Sequence, residues 1–492
     1  TFGSGGSTLS CTLRSAGGTL FTADASLVAA GTATPTSLLG SYMSTDSSVP
    51  AWLTLDSSSH ATVWVQCAAG TGGGLASVAS DGSLVTTDGL FEARLSVGAS
   101  PAELTVTRLN GTAVSVVAPL QTSIRAKWTF MVYLNAANNL QSYGPLNVNQ
   151  MEKVGSTADV NIVVQWKQAQ CSSCGSPEWS STRRYYITRD GDTSRVTSPL
   201  IEDLGPNVDM GDWRKLYAFI VWAQQTYPAD HYALVVWDHG AGWRNTRAAT
   251  PPAVRSVSID DSTGSEIQTW ELPQALNAAT KLDLLIFDAS LMQMAEVAYE
   301  VRNSAGIMVG SEESPPGEGY VYDTFLRDLT TTPSMTPSAF AQSIVNRTIE
   351  SYGTTSNITQ SAIDLSQMQG VADKMDTFAR QMMLYSGTYR SALTSARNNA
   401  EAYLYRDNKD LWHYAELVRT ATVPSSMQSS ARGVQQAIEN AVIAQQHGSL
   451  HPNSHGIAVY VPDPASYLQT YANLALARAT QWDEWLRSQP TN

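Results

Sequence analysis

The stretch LDLLIFDASLMQ, residues 282–293, decides how this chain is read. Four consecutive apolar residues, Leu284 to Phe287, describe a buried strand. The strand ends at Asp288-Ala289, a helix-like pattern starts at Leu291, and Ser290 stands at the turn. Open α/β sheets carry their working residues there, outside the carboxyl ends of strands. From these residues alone Ser290 is a nucleophile, a substitute for one, or a helix cap. Capping is the commonest use of serine at such a turn.

Around this stretch the chain alternates strand and helix. WTFMVYL (128–134), VNIVVQW (160–166), RRYYIT (183–188), YALVVWD (232–238) and GIMVGS (306–311) read as further strands. Helical patterns fall at 146–156, 212–227, 269–280 and 291–303. Near-continuous apolar strands alternating with helices predict an α/β fold with a mostly parallel sheet covered on both faces. After about residue 333 the pattern is chiefly helical, with a late strand at 455–462 and a final amphipathic helix at 465–488. No internal repeat is visible.

Residues 1–122 follow a different grammar. Short alternating runs such as ATVWVQC (61–67) and AELTVTRL (102–109) are separated by Gly-, Ser- and Asn-rich turns. That predicts a small all-β accessory domain, a sandwich or a barrel. The expected division is therefore a β-sandwich-like domain at 1–122, an α/β domain at 123–332, and a mostly helical region at 333–492 packed on it.

Acidic residues outnumber basic ones by 43 to 30 without a Lys/Arg cluster, which argues against nucleic acid as a partner. No apolar run approaches the ~18 residues of a membrane span. The chain begins at Thr1 without Met, as a mature chain does once a signal peptide is removed. Cys11 and Cys67 are placed to close one loop of the opening segment. Cys171 and Cys174, in C-S-S-C among Ser, Gly and Pro, suit a local disulfide better than a redox helix or a zinc site. Such pairs imply an oxidising, extracytoplasmic setting.

A second strand end completes a constellation. YALVVWDHGAGW places His239 just beyond a buried strand, with Gly240 after it to allow close backbone approach. If the two strands are neighbours, His239 meets position 290 as base meets nucleophile. About 50 residues separate them, the spacing of the caspase His and Cys, although such signatures do not transfer between families. Alone, His239 is equally a surface residue and Asp288 a cap or ion-pair partner, while Trp237 and Trp243 read as packing.

The stretches WTFMVYLNAANNLQ, STRRYYITRD, DMGDW, YPADHYALVVWDHGAGW, FDASLMQMAEVAYEVR, GSEESPPGEGYVYD, KDLWHYAEL and HPNSHGIAVYVP occur in order from about Lys127 to the C-terminus. Together they resemble the clostripain family of cysteine peptidases, whose fold is caspase-like. The family's motif reads Asp-Ala-Cys, with that Cys as nucleophile; here it reads Asp-Ala-Ser. The resemblance implies His239 as general base, Ser290 at the nucleophile position, and the Gly240 and residue-290 N–H groups as the oxyanion hole. It implies Asp288 at the floor of a pocket selecting Arg or Lys, with Glu312, Glu313 and Glu318 as candidates to line the same cleft. It also implies maturation by cleavage in RNTRAATPPAVRSVSID (244–260), with Arg247 and Arg255 as the favoured bonds and Arg244 the least favoured. Calcium is implied by the family alone, for no EF-hand-like loop is present.

A thiol ionises readily beside a His, whereas a serine normally needs a His oriented by a buried carboxylate. Asp238 adjoins His239 but points to the other face of its strand. Three expectations follow. The first is a secreted endopeptidase cleaving protein or peptide substrates after Arg or Lys, inactive with Ser290. The second is a natural pseudopeptidase serving as an extracellular binding, structural or self-assembling protein through its N-terminal domain. The third is a serine hydrolase with an acid not yet identified.

Overall fold

The computed structural model describes residues 125–244, 256–277 and 280–489 with their side chains. Before them it describes the backbone of ten strands between Thr8 and Gln121. Eight of these, from Gly40–Ser44 to Ser115–Gln121, close into an antiparallel barrel, and Thr8–Arg14 pairs with Leu20–Ser26. Closure leaves the barrel without an exposed edge. The side chains of Cys11 and Cys67 lie outside the described residues, as do Arg247 and Arg255.

From Ala126 onward one nine-stranded sheet organises the chain. Its strands are β1 (Ala126–Asn135), β2 (Val160–Gln168), β3 (Ser181–Tyr186), β4 (Leu200–Gly205), β5 (Ala229–Trp237), β6 (Leu282–Asp288), β7 (Ala305–Gly310), β8 (Thr359–Asp364) and β9 (Val442–His447). The spatial order is β4-β3-β2-β1-β5-β6-β7-β8-β9. The five central strands, β2 to β7 across β1, run parallel. An antiparallel pair flanks them on each side.

Alternation along each strand divides the core in two. Met131, Tyr133, Leu234, Val236, Leu285 and Phe287 face one layer, which includes helices Trp213–Thr226 and Met368–Tyr385. Phe130, Val132, Val235, Trp237, Leu284 and Ile286 face the other, with helices Tyr143–Glu152, Tyr322–Thr331 and Pro337–Tyr352. Burial on both sides explains why these strands read as apolar runs.

The C-terminal third is chiefly helical, as expected, and in addition supplies β8 and β9 to the main sheet. β9 follows helix Ser425–Ala441 directly, without a Gly or Pro to mark the change. The expected strand 455–462 shrinks to Ala458–Tyr460, which pairs with Asn408–Asp410 outside the sheet. The expected helix 465–488 is broken into short 3₁₀ and α turns, including Ala475–Ala479 and Trp482–Ser488. Tyr471, Leu474, Trp482 and Trp485, which share one helical face by spacing, still all reach the first core layer although the helix is broken.

The short strand Val257–Asp260 is tied to the sheet by a buried ion pair. Lys167 Nζ, at the end of β2, lies 2.6 Å from Asp260 Oδ2 and donates also to Val208 O and Ser262 Oγ. Both side chains are essentially inaccessible to water. Removing one partner strands a buried charge, so Lys167→Met should destabilise the fold by ~3–5 kcal/mol. Urea unfolding followed by tryptophan fluorescence will show the midpoint fall if the pair is as isolated from water as this.

Candidate active site

The chain runs from β1 to β2 on one side and then returns to place β5 on the other side of β1. Strand order therefore reverses at the β1–β5 boundary. Ligands of open α/β sheets bind beyond the carboxyl ends of strands at such a point. The residues there are Asn138 and Asn139 after β1, His239 and Gly240 after β5, Ser290 after β6 and Ser311 to Ser314 after β7.

Pairing between β5 and β6 sets Trp237 opposite Asp288. Two residues further along each parallel strand stand His239 and Ser290. The sequence-derived pair thus shares one register position at the sheet edge. His239 Nε2 lies 2.6 Å from Asn139 Oδ1, an acceptor, so this nitrogen carries the proton and Nδ1 is the basic one in the neutral ring. Asn139 has no sequence signature beyond its place in NAANNLQ after a strand.

Gly240 is required by space. A Cβ there would lie 2.4 Å from Ser290 O and 3.0 Å from Met292 Sδ. The loop after β5 therefore lies directly on the backbone of the β6 turn. That turn is unusual in its own right, because Leu291 adopts φ 64°. A left-handed leucine costs ~1–2 kcal/mol, and Leu291 N donates to Glu313 O at 3.2 Å to hold it there.

Ser290 is not a helix cap. The following helix, Ala295–Val301, begins five residues later with Met294 at the capping position. Ser290 Oγ instead lies 2.9 Å from Ser314 Oγ. The expected helix 291–303 is correspondingly shorter, because residues 291–294 pack as an extended turn between β6 and the helix.

Asp238 directs its carboxylate to the backbone and to Asn138. Its carboxylate takes Asn138 Nδ2 at 2.7 Å, the main-chain N–H of His239 at 2.6 Å and that of Ile259. Burial pushes it well above the usual carboxylate range, against these hydrogen bonds. Asp238 therefore ties the catalytic loop to Val257–Asp260, and the bridge of Gly240 with Val257 continues the tie.

Asp288 lies beneath position 290 on the same face of β6. Its Oδ2 accepts from Tyr322 OH at 2.8 Å and Tyr320 N at 3.2 Å. Burial raises it to about 6, opposed by those two donors. Gly319, in the left-handed region at φ 67°, packs against the buried carboxylate, where a Cβ would come within 2.7 Å of Oδ2.

Glu318 is exposed, and its carbonyl accepts from Asn147 Nδ2 at 2.9 Å. Glu312 and Glu313 are 2% and 4% exposed and have other partners than Asp288. Glu312 Oε1 accepts from Tyr403 OH at 2.7 Å, and burial, reinforced by the Asp410 charge, pushes its carboxyl well up. Glu313 Oε1 accepts from Ser314 N at 2.6 Å and Leu404 N at 3.1 Å. Its Oε2 makes a 3.3 Å ion contact with His451 Nε2, whose Nδ1 lies 3.2 Å from Glu401 Oε1. These two glutamates work inside the protein. Sequence reading placed them in the cleft because the acid-rich run SEESPPGEG gives no hint of the histidine some 140 positions away.

Cys171 and Cys174 are joined in a disulfide. It closes the loop after β2, where Gln141 Nε2 donates to Cys174 O. Among the described residues no group of three or more His, Cys, Asp or Glu side chains is arranged to hold a metal ion. No helix among them is long and apolar enough to cross a membrane.

A parallel sheet with His and a small nucleophile-type residue on adjacent carboxyl ends, above a buried acid, is the layout of a caspase-like peptidase. The clostripain family model matches residues 132–488, and the chain belongs to that family. The clostripain of Hathewaya histolytica is 29% identical over 218 residues, 40% of this chain and 41% of that protein. The chain thus spans about two-fifths of the length of that curated relative. An inactive zymogen C11 protease from Parabacteroides distasonis aligns with a TM-score of 0.56 at 20% identity, over 73% of this chain and 99% of that one. A secreted C11 cysteine protease from Bacteroides thetaiotaomicron, solved with an irreversible peptide inhibitor, gives 0.55 at 20% identity, over 73% and 100%. At that identity the likeness establishes the shared caspase-like fold.

His451 was invisible as a site residue in sequence, yet its environment sets a measurable pH dependence. Burial disfavours its charge, but hydrogen bonds and charges from Glu313 and Glu401 outweigh this and push it up to about 9. Tyr403, whose ring is 5.3 Å away, is the other titratable group packed against it. The unfolded histidine titrates near ~6.5. Its contribution to stability is therefore complete below that pH and is lost as pH rises through about 9. The melting temperature should fall across this window, and Glu401→Gln should flatten the fall in calorimetric scans at pH 6 to 10.

Proposed function

We propose that this chain is a clostripain-like endopeptidase acting outside the cytoplasm on peptide bonds that follow Arg or Lys, held inactive by Ser290. The observation that carries this reading is the shared register of His239 and Ser290 at the sheet edge, with Asp288 buried directly below. His239 Nδ1 is the general base, with Nε2 anchored by Asn139. The N–H groups of Gly240 and residue 290 receive the developing oxyanion, which fixed dipoles stabilise without reorganisation. Asp288 pairs with the substrate guanidinium or ammonium. The Cys171–Cys174 disulfide supports an oxidising compartment.

Peptide binding tests Asp288 without catalysis. A substrate cation reaching the Asp288 carboxylate replaces water by one charge partner, so Asp288→Asn should cost ~2–5 kcal/mol in affinity for a peptide with Arg at the cleaved position. Asp288 titrates at about 6, so wild-type binding should strengthen as pH rises through that value and the carboxyl ionises. Calorimetric titration of Arg- and Ala-containing peptides reads both effects. Equal affinities for the two peptides remove Asp288 from the pocket floor.

Replacing Ser290 by cysteine tests the nucleophile position. Ser290→Cys should hydrolyse Arg- and Lys-containing peptides, and adding His239→Ala should abolish the activity. Autoprocessing should then appear after Arg247 or Arg255. Arg244 should stay intact, for it is 9% exposed, lies 3.2 Å from Asp407 and sits over the Tyr405 and Tyr460 rings. Gel electrophoresis with N-terminal sequencing identifies the cut. An uncut, inactive Ser290→Cys protein favours the pseudopeptidase, in which the same edge serves as a binding surface.

A further inference from the structure

We infer that His451 is a positioning residue for the turn that carries position 290, acting through Glu313 and Ser314 and clamped from behind by Glu401. The inference rests on reading position 290 as the nucleophile position. It concerns residues some 110 to 160 positions beyond position 290, Glu401 and His451, and assigns them a task that the reaction itself does not name.

The contacts form a continuous path. Ser290 Oγ meets Ser314 Oγ at 2.9 Å, and Ser314 N donates to Glu313 Oε1 at 2.6 Å. Glu313 O accepts from Leu291 N, the left-handed residue next to position 290. A second strut, Gln293 N to Ser311 O at 3.1 Å, runs between the same two segments. The 311–314 segment is thus the backing on which the 290–293 turn is laid.

That backing is not held by the sheet alone. β7 ends at Gly310, and the next helix starts at Tyr322. Thr359 Oγ1 accepts from the N–H groups of Glu312 and Glu313 at 3.0 and 3.2 Å. The Glu313 side chain then reaches into the C-terminal region, where Leu404 N and His451 meet it. His451 in turn faces Glu401, whose other oxygen accepts from Asn453 Nδ2 at 3.1 Å. Tyr403 closes the arrangement, its hydroxyl shared by Glu312 Oε1 and Ser454 Oγ.

The chemistry explains the choice of residues. Two carboxylates buried side by side repel each other, and each alone is costly to bury. The imidazole lies between them, hydrogen-bonded through Nδ1 to Glu401 and, when protonated, in a 3.3 Å charge contact with Glu313 through Nε2. Glu313 Oε1 is thereby left free of that task and accepts from Ser314 N in the backing segment and from Leu404 N in the C-terminal region, joining the two. Without the imidazolium, Glu313 has one fewer reason to stay inside, and the Leu291 strain loses its counterweight.

Hydrogen exchange on the chain with Ser290 in place tests the device without catalysis. His451→Gln should accelerate amide exchange at least tenfold in peptides covering 289–294 and 311–314, with β1 unchanged. If His451→Gln does not fold, Glu401→Gln removes one of the two ion contacts and should produce the same pattern more weakly. Unchanged exchange in both segments overturns the proposal. In the Ser290→Cys protein, His451→Gln should lower kcat at least tenfold with KM within threefold, because substrate contacts are intact and the turn is not. A fall in KM-dependent binding with kcat preserved also overturns it. An inactive Ser290→Cys protein with the exchange pattern present removes the peptidase reading and leaves the positioning network standing.

Discussion

In a parallel sheet buried on both faces, a slip of one residue between neighbours sends every side chain to the wrong core. β5 and β6 are fixed against that slip by two incompatible layers, with Val235 and Ile286 on one side and Val236 and Phe287 on the other. Pairing of Trp237 with Asp288 then follows, and with it the placement of everything two residues beyond. Asp238 N donates to Asp288 O at 3.2 Å, so the ladder continues past the end of β5. The site is a consequence of core packing carried outward by one more step of the ladder.

Around that step the protein buries an unusual amount of acid, and each carboxyl has a separate solution. Asp238 spends its oxygens on main-chain N–H groups and Asn138, and burial keeps it up. Asp260 has a lysine. Glu313 has a histidine that is itself shared. Asp288 has two neutral donors from the 320–322 turn, and Gly319 packs against it without a side chain. In the proposed reading, Asp288 is the acid of the four that receives the substrate cation.

The sheet and the His–290 pairing were legible in sequence because buried parallel strands leave apolar runs and because the working residues follow those runs directly. YALVVWDHG and LLIFDAS each state a strand and its first loop residues together. What escaped was carried by long-range packing. β9 grows out of a helix without a breaker, and the 465–488 segment, whose apolar residues keep helical spacing, is broken into short turns while Tyr471 and Trp485 stay buried. Asn139 and His451 are single polar residues whose significance exists only through partners about 100 and 140 positions away. No local pattern encodes such a meeting. Glu312 and Glu313, offered as cleft residues by the family resemblance, are buried against Tyr403, Leu404 and His451.

The same geometry explains why serine at position 290 is so consequential. A thiol is acidic enough that a neighbouring imidazole suffices to make it nucleophilic. A hydroxyl needs an imidazole whose second nitrogen is oriented and whose positive charge is stabilised by a carboxylate. The group on His239 Nε2 is Asn139, which orients the ring but brings no negative charge. The nearest carboxylate in sequence, Asp238, is turned to the opposite layer and committed to the backbone. An amide on that nitrogen suits a thiolate–imidazolium pair, which supplies its own countercharge. In the proposed reading position 290 is a cysteine site, and Ser290 rests there on Ser314.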